Sequence, residues 1–269
     1  DGTTQDIAIT INGTNDVPLI TGSSQASLSE DGSVDLDGNL VAAGQLLITD
    51  VDAGEAAFQA GIINGQYGSL EIDASGSWTY TANNADPDIQ GLGDGQVLTD
   101  TIMVQSADGT TQDIAITING TNDVPEVVSE VETSTSEDSG LVTLNLLDGV
   151  SDTDMSDSLS VNVTSINLSS GDDSGIEINS DGTLSIDPNA YTALPEGADE
   201  VITFNYDVVD SGGASVQQTA SITINGANDT PTIGGVAFGL VEEDQNVIEG
   251  SLTVEGSLSI TDVDAGEAA

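Results

Sequence analysis

Three kinds of acidic mark return along this chain at matching places. Asn-Asp stands two residues before a proline at Asn15 and Asp16, Asn122 and Asp123, and Asn228 and Asp229, the prolines being Pro18, Pro125 and Pro231. Glu-Asp follows fourteen residues after each of those aspartates, at Glu30 and Asp31, Glu137 and Asp138, and Glu243 and Asp244. Asp-x-Asp closes each series, at Asp50 and Asp52, Asp152 and Asp154, and Asp262 and Asp264. Carboxylates and carbonyls are the ligands a hard cation such as calcium selects. Alternate residues of an extended segment face the same way, so each Asp-x-Asp pair can converge on one ion. Singly, each mark is equally an ordinary turn or a solvated acidic surface; their joint recurrence favours metal binding.

The rest of the composition removes competing chemistries. The 269 residues hold 47 Asp plus Glu and no Lys, Arg, His or Cys, for a formal charge of −47, where an average chain of this length carries roughly 30 basic residues. Phosphate clamps, Schiff bases, imidazole catalysis and thiol nucleophiles all lack their side chain. Nucleic acid and anionic membranes are excluded as partners on charge. Neither disulfides nor lysine-based isopeptide staples can form, which leaves calcium as the expected brace. Paired acids could serve a glycosidase, but aromatics are 3% of residues and the acids follow the linkers, so no enzyme activity is expected. Trp78, beside Tyr80 in an alternating stretch, is expected to pack in a core or on an edge rather than stack on sugar. A hydrophobic fraction of 37%, with 31 Gly besides, is a globular rather than a disordered balance. No apolar run approaches the ~20 residues needed to span a bilayer, and no basic-then-apolar leader opens the sequence.

The elements that must position the acids come in tandem. DGTTQDIAITINGTNDVP occupies 1 to 18 and, letter for letter, 108 to 125, while ITINGANDTP closes a third copy at 222 to 231. Asn12 to Asn119 is 107 residues and Asn119 to Asn225 is 106; ITDVDAGEAA returns at 48 to 57 and 260 to 269, an offset of 212. This divides the chain into the C-terminal strand of a preceding repeat (1–15), two full repeats (16–122 and 123–228) and the opening of a further one (229–269). The flanking pieces lack most of a core and are expected not to fold alone. Period-two stretches recur at 69–72, 77–81, 113–118, 202–209 and 219–224, punctuated by turn signals, and no segment reads as a long amphipathic helix. The pattern predicts an all-β fold of tandem Ig-like antiparallel β-sandwiches in an elongated array.

The order of marks, with Glu near the first strand, Asp-x-Asp after the second, a late Asp-x-Gly and then Asn-Asp-x-Pro, resembles the cadherin-type extracellular repeat. Through YGSLEIDASGSWTYTANN at 67 to 84 and ITINGTNDVP, the first full repeat also resembles the VCBS repeat of giant RTX-type bacterial adhesins. The second, with GTLSIDPNAYTALPEG at 182 to 197 and YDVVDSGGASVQQ at 206 to 218, resembles the related cadherin-like or Ig-like adhesin repeat. The resemblance implies calcium at each junction. It gathers Glu30, Asn122, Asp123, Asp152, Asp154 and Asp210 at the central one, and Glu137, Asn228, Asp229, Asp262 and Asp264 at the next. An incomplete first junction keeps Asn15, Asp16, Asp50, Asp52 and Asp108. Asp86 and Asp88 fall near the place of another cadherin acidic pair, although Pro87 replaces the basic residue between them. The linker carries fewer acids than the cadherin pattern, so fewer ions per junction are expected. DVDAGE at 50 to 55 lacks the Gly of an EF-hand loop, and the glycine-rich nonapeptide of calcium β-rolls is absent.

What the resemblance implies is a structural extender of a secreted adhesin, a monomeric rod whose partners are the neighbouring repeats of its own chain. It serves cell adhesion or biofilm formation at the cell surface, with type I secretion as the expected route. Two alternatives stand beside it: a calcium-dependent ligand-binding module, and a fibre subunit that assembles by strand donation.

Overall fold

In a computed structural model the protein is described over residues 1–32, 34–245 and 247–267. The end of the second ITDVDAGEAA copy lies outside the described residues. The chain divides into two compact units, one of Asp1–Asp123 with Thr153–Asp157, the other of Val124–Asp152 with Ser158–Ala269.

In the first unit, strands Leu19–Gly22, Asn39–Thr49, Ser77–Asn83, Gly68–Ile72 and Gly61–Asn64 pair in that order into one antiparallel sheet. A second sheet pairs Gln25–Ser29, Thr111–Asn119 and Val97–Gln105. Alternation decides the faces. Leu40, Leu46, Leu70, Ile72, Trp78, Tyr80 and Ala82 from one sheet meet Ile102, Val104, Ile114, Ile116 and Ile118 from the other in a single core. Trp78 is thus a core residue, its indole Nε1 donating to Ser23 O at 2.9 Å. Gly44 lies opposite Trp78 in the ladder, where a Cβ would come within 2.3 Å of the ring.

One inward position of Val97–Gln105 holds Asp100 instead of an apolar residue. Its carboxylate accepts the N–H groups of Gln66, Tyr67 and Gly68 and the hydroxyl of Tyr80, at 2.9 to 3.2 Å. Four donors saturate a buried anion without a cation. They also fix the turn between Gly61–Asn64 and Gly68–Ile72, at which Gly65 leaves room for the carboxylate. Burial, reinforced by Asp100, pushes the Tyr80 hydroxyl upward, so it remains a donor.

The second unit repeats the scheme. Val131–Ser136, Ser215–Asn225 and Asp199–Val209 form one sheet, with Ser160–Val161 and Asn167–Ser170 both pairing to Asp199–Val209. Val142–Asn145, Thr183–Ile186 and Ile176–Ile178 form another. Leu144, Leu184 and Ile186 of the latter pack with Ile202, Phe204, Tyr206, Val208, Ile222 and Ile224 of the former. Residues 229–267 add two small antiparallel pairs, Thr232–Gly235 with Leu258–Thr261 and Val247–Ile248 with Ser251–Leu252. No apolar side chain beyond Ile224 is buried among the described residues.

Two features differ from a simple antiparallel sandwich. Each unit holds one parallel pairing, Gln25–Ser29 with Thr111–Asn119 and Val131–Ser136 with Ser215–Asn225. Period-two patterning encodes which face is buried but not the direction of the partner. Among the described residues the helical content is confined to single turns at Pro87–Gln90 and Pro188–Tyr191, and no helix there is long and apolar enough to cross a membrane.

The duplicated segment adopts two states. At 108 to 125 it supplies the strand Thr111–Asn119, with Ile114, Ile116 and Ile118 at 0% exposure, whereas at 1 to 18 it forms no strand and Ile7, Ile9 and Ile11 are 82 to 90% exposed. Identical residues therefore fold only where partner strands exist, since β-propensity is mostly packing against neighbours. Accordingly Ile116→Ala is expected to cost about 2–5 kcal/mol, and its sequence twin Ile9→Ala no more than about 0.5 kcal/mol. Urea unfolding of the two variants measures both.

Candidate metal centre

One hydrogen bond recurs wherever a linker meets an Asp-x-Asp loop. The linker aspartate donates its backbone N–H to Oδ2 of the second loop aspartate: Asp16 to Asp52 at 2.7 Å, Asp123 to Asp154 at 2.9 Å and Asp229 to Asp264 at 2.9 Å. Within its loop the backbone N–H of Asp52 donates to Asp50 Oδ1 at 2.8 Å, and that of Asp264 to Asp262 Oδ1 at 3.1 Å. The linker asparagine turns back in all three copies, its Nδ2 bonding the next carbonyl: Asn15 to Asp16 O, Asn122 to Asp123 O and Asn228 to Asp229 O. Beyond the loop, Met155 N–H donates to Gly91 O and Ala265 N–H to Ala193 O, both at 3.1 Å.

Above this frame the first unit sets Glu30. It follows strand Gln25–Ser29, its N–H bonds Asn119 O at 3.0 Å, and its Oε1 accepts Thr121 N–H at 2.6 Å. The residue is 0% exposed, and its second oxygen, Oε2, is shielded from solvent without a hydrogen-bond partner. Burial pushes this carboxyl up from 4.5 to about 7; the Thr121 N–H works against the rise, and Asp123, Asp31 and Asp154 add to it by repulsion. Glu30, Asp123 and Asp154 thus form one anionic group in a chain that has no cationic side chain to offset it.

In the second unit Asp229, Asp262 and Asp264 gather, and the corresponding glutamate, Glu137, binds the linker just before Asp229. Glu137 is buried, with Oε1 accepting Ala227 N–H at 2.7 Å and Oε2 accepting Leu194 N–H at 3.4 Å. Asp264 is 2% exposed, and its Oδ1 has no partner. Burial raises the Asp229 carboxyl above its ordinary value, followed by repulsion from Asp264, Asp138 and Asp262.

Two further groupings surround the Asp-x-Asp loops. In the first unit Asp50 Oδ2 and Glu55 Oε2 are both shielded without a partner. The Glu55 carboxyl is raised by burial and then by Asp52, Asp50 and Asp108. Asp108 is held low by the Ser106 hydroxyl and by Thr110, whose Oγ1 donates at 2.8 Å. In the second repeat Asp152, Asp154, Asp157 and Asp210 stand at the sequence places of Asp50, Asp52, Glu55 and Asp108. Asp210 accepts the N–H groups of Gly213 and Ala214. Asp86 caps the turn Pro87–Gln90 by accepting Asp88 N–H at 3.0 Å, and Asp88 is exposed in that turn.

Sequence reasoning missed Glu55 and Asp157. The signal was present, because an acid stands three residues after each of the three recurring Asp-x-Asp pairs, at Glu55, Asp157 and Glu267. What hid it was the comparison of this loop with an EF-hand, in which Glu55 counted only as a missing glycine.

Each unit is thus a two-sheet sandwich in which an early strand, Gln25–Ser29 or Val131–Ser136, runs parallel to the strand that closes the repeat, with acids gathered at its linkers. Residues 15–120 match the family model of the bacterial cadherin-like domain, and residues 121–225 that of the cadherin-like domain, so the chain carries cadherin-like domains in tandem. It is also similar to solved cadherin ectodomains. A structure of protocadherin gamma B7 extracellular cadherin domains 1–4 is 15% identical, with a TM-score of 0.44, covering 92% of this chain and 60% of that one. Human mucin-like protocadherin EC1-2 is 15% identical, with a TM-score of 0.44, covering 78% and 99%. The protocadherin gamma B4 extracellular domain is 12% identical, with a TM-score of 0.49, covering 94% and 41%. The chain therefore spans less than two thirds of the first and third of these. No curated protein sequence matches it significantly.

The raised Glu30 carboxyl has a definite sign in solution. Between pH 4.5 and about 7 the folded chain holds a proton there that the unfolded chain has lost. Its contribution to stability is full below 4.5 and disappears as pH rises through 7. In chelator, the unfolding midpoint of the metal-free protein is expected to fall across that interval, and Glu30→Gln to flatten the fall.

Proposed function

We propose that this chain is a spacer segment of a secreted bacterial adhesin, with calcium bound where consecutive repeats join. The observation that carries the reading is Glu30: a fully buried carboxylate with one shielded, unpartnered oxygen, beside Asp123 and Asp154, in a chain without a cationic side chain. Only a proton or an external cation can complete such a group, and an all-oxygen donor set suits calcium. The holding residues would be Glu30, Asp123 and Asp154 in one group, and Glu137, Asp229, Asp262 and Asp264 in the next. Asp50, Asp52, Glu55 and Asp108, with their counterparts Asp152, Asp154, Asp157 and Asp210, would contribute from the loops.

Bound calcium supplies positive charge that the fold lacks and adds its binding free energy to the folded state. Without it, carboxylates at a junction repel and the linker behaves as a hinge; with it, the linker becomes a strut. Near-identical repetition supports a task of length and stiffness, because a receptor site is ordinarily one distinct domain. A calcium-poor interior keeps the chain loose for export, and a calcium-rich exterior stiffens it. The acidic surface keeps parallel rods apart, with salt screening the self-repulsion.

Small-angle scattering through a calcium titration tests this. An extended profile with calcium and a more compact or flexible average in EGTA are expected, and identical profiles would sink the reading. Replacing Asp152 and Asp154 together by Ala should abolish stiffening at the central junction while leaving both sandwiches folded, as judged by circular dichroism.

A further inference from the structure

The buried glutamates need something to hold them in place, because the strand that leads to each is short and lies at a sheet edge. Gln25–Ser29 has five residues with no fully buried side chain, and among the described residues it pairs only with Thr111–Asn119. A slip of one residue along that ladder would turn Glu30 to the opposite face. We propose that Asn119 and Asn225 are positioning residues that lock this register and so place the Glu30 and Glu137 carboxylates; the inference rests on the calcium reading above.

The geometry is the same in both units. Asn119 ends its strand opposite Ser29, and its Nδ2 donates to Leu28 O at 2.6 Å and to Ser27 Oγ at 2.7 Å. Asn225 ends its strand opposite Ser136, and its Nδ2 donates to Thr135 O at 2.9 Å and to Ser134 Oγ at 2.8 Å. The backbone of the same asparagine then takes the glutamate N–H, Glu30 on Asn119 O and Glu137 on Asn225 O, both at 3.0 Å. Two residues further on, the backbone N–H of Thr121 or Ala227 binds the glutamate Oε1. One short stretch thus grips the residues before the glutamate, its backbone and its carboxylate.

The chemistry singles out an amide. A main-chain carbonyl such as Leu28 O only accepts, so the atom facing it must be a donor, and one NH2 serves both acceptors. Elsewhere a Lys or Arg could reach across; in this chain side-chain N–H donors come only from Asn, Gln and Trp. Aspartate at 119 would set a carboxylate oxygen against Leu28 O, and serine would keep a single donor.

Calcium titration calorimetry on the full chain, comparing the unaltered protein with Asn119→Asp, Asn225→Asp and Ser27→Ala, tests the proposal. Loss of a residue that orients a ligand typically weakens metal binding about 10- to 100-fold. Asn119→Asp is expected to weaken one class of site by that factor and leave the other intact, Asn225→Asp to do the converse, and Ser27→Ala to change little. The sign is diagnostic, because an added negative charge acting only through space would tighten calcium binding. A metal-free unfolding midpoint lowered by Asn119→Asp with calcium affinity unchanged would overturn the proposal. Should Asn119→Asp not fold, Asn119→Ser is expected to show an intermediate loss, and unaltered affinity there would equally overturn it. Failure of the unaltered chain to bind calcium would defeat the calcium reading itself, and this inference with it.

Discussion

A carboxylate buried in a chain without a single cationic side chain can be stabilised only by N–H and O–H dipoles, by a proton or by an ion from outside. Every acidic site in this protein is one of those cases. Asp100 is the first, closed by three backbone N–H groups and the Tyr80 hydroxyl. Glu30 is the unsatisfied case, with the Thr121 N–H on one oxygen and no donor on the other. The two residues differ little in burial, so the difference lies in donor count, and it separates a structural anion from a group poised for a cation.

Much of the fold was legible because alternation is a direct record of burial. The stretch DIAITI predicts a strand, and Ile114, Ile116 and Ile118 form one wall of the first core. What alternation does not record is the partner. Nothing in QASLS announces that it runs parallel to Thr111–Asn119, and the free copy of the same DIAITI forms no strand at all. Pattern specifies a face; only the assembled neighbours specify a ladder.

The candidate site was legible through repetition rather than through any single motif. The linker aspartates and Asp-x-Asp loops, marked by recurrence, share one backbone-to-carboxylate bond in all three copies. Asp86 and Asp88 rested on likeness alone; Asp86 caps the turn Pro87–Gln90 and Asp88 lies exposed within it. The asparagines at 119 and 225 stood in plain view as repeat markers. An amide inside ITING reads as turn chemistry, and its reach to the preceding edge strand follows only from the parallel register.

That parallel register also bears on how such a repeat would carry load. In each unit the strand near the start of the repeat lies alongside the strand near its end and points the same way. Tension applied through the chain draws two such strands in opposite directions along their common axis. The evenly spaced, slanted bonds of a parallel ladder are then strained together in shear instead of being unzipped one after another. Each sandwich is in this way closed by a mechanical clasp at the place where pulling forces enter and leave it.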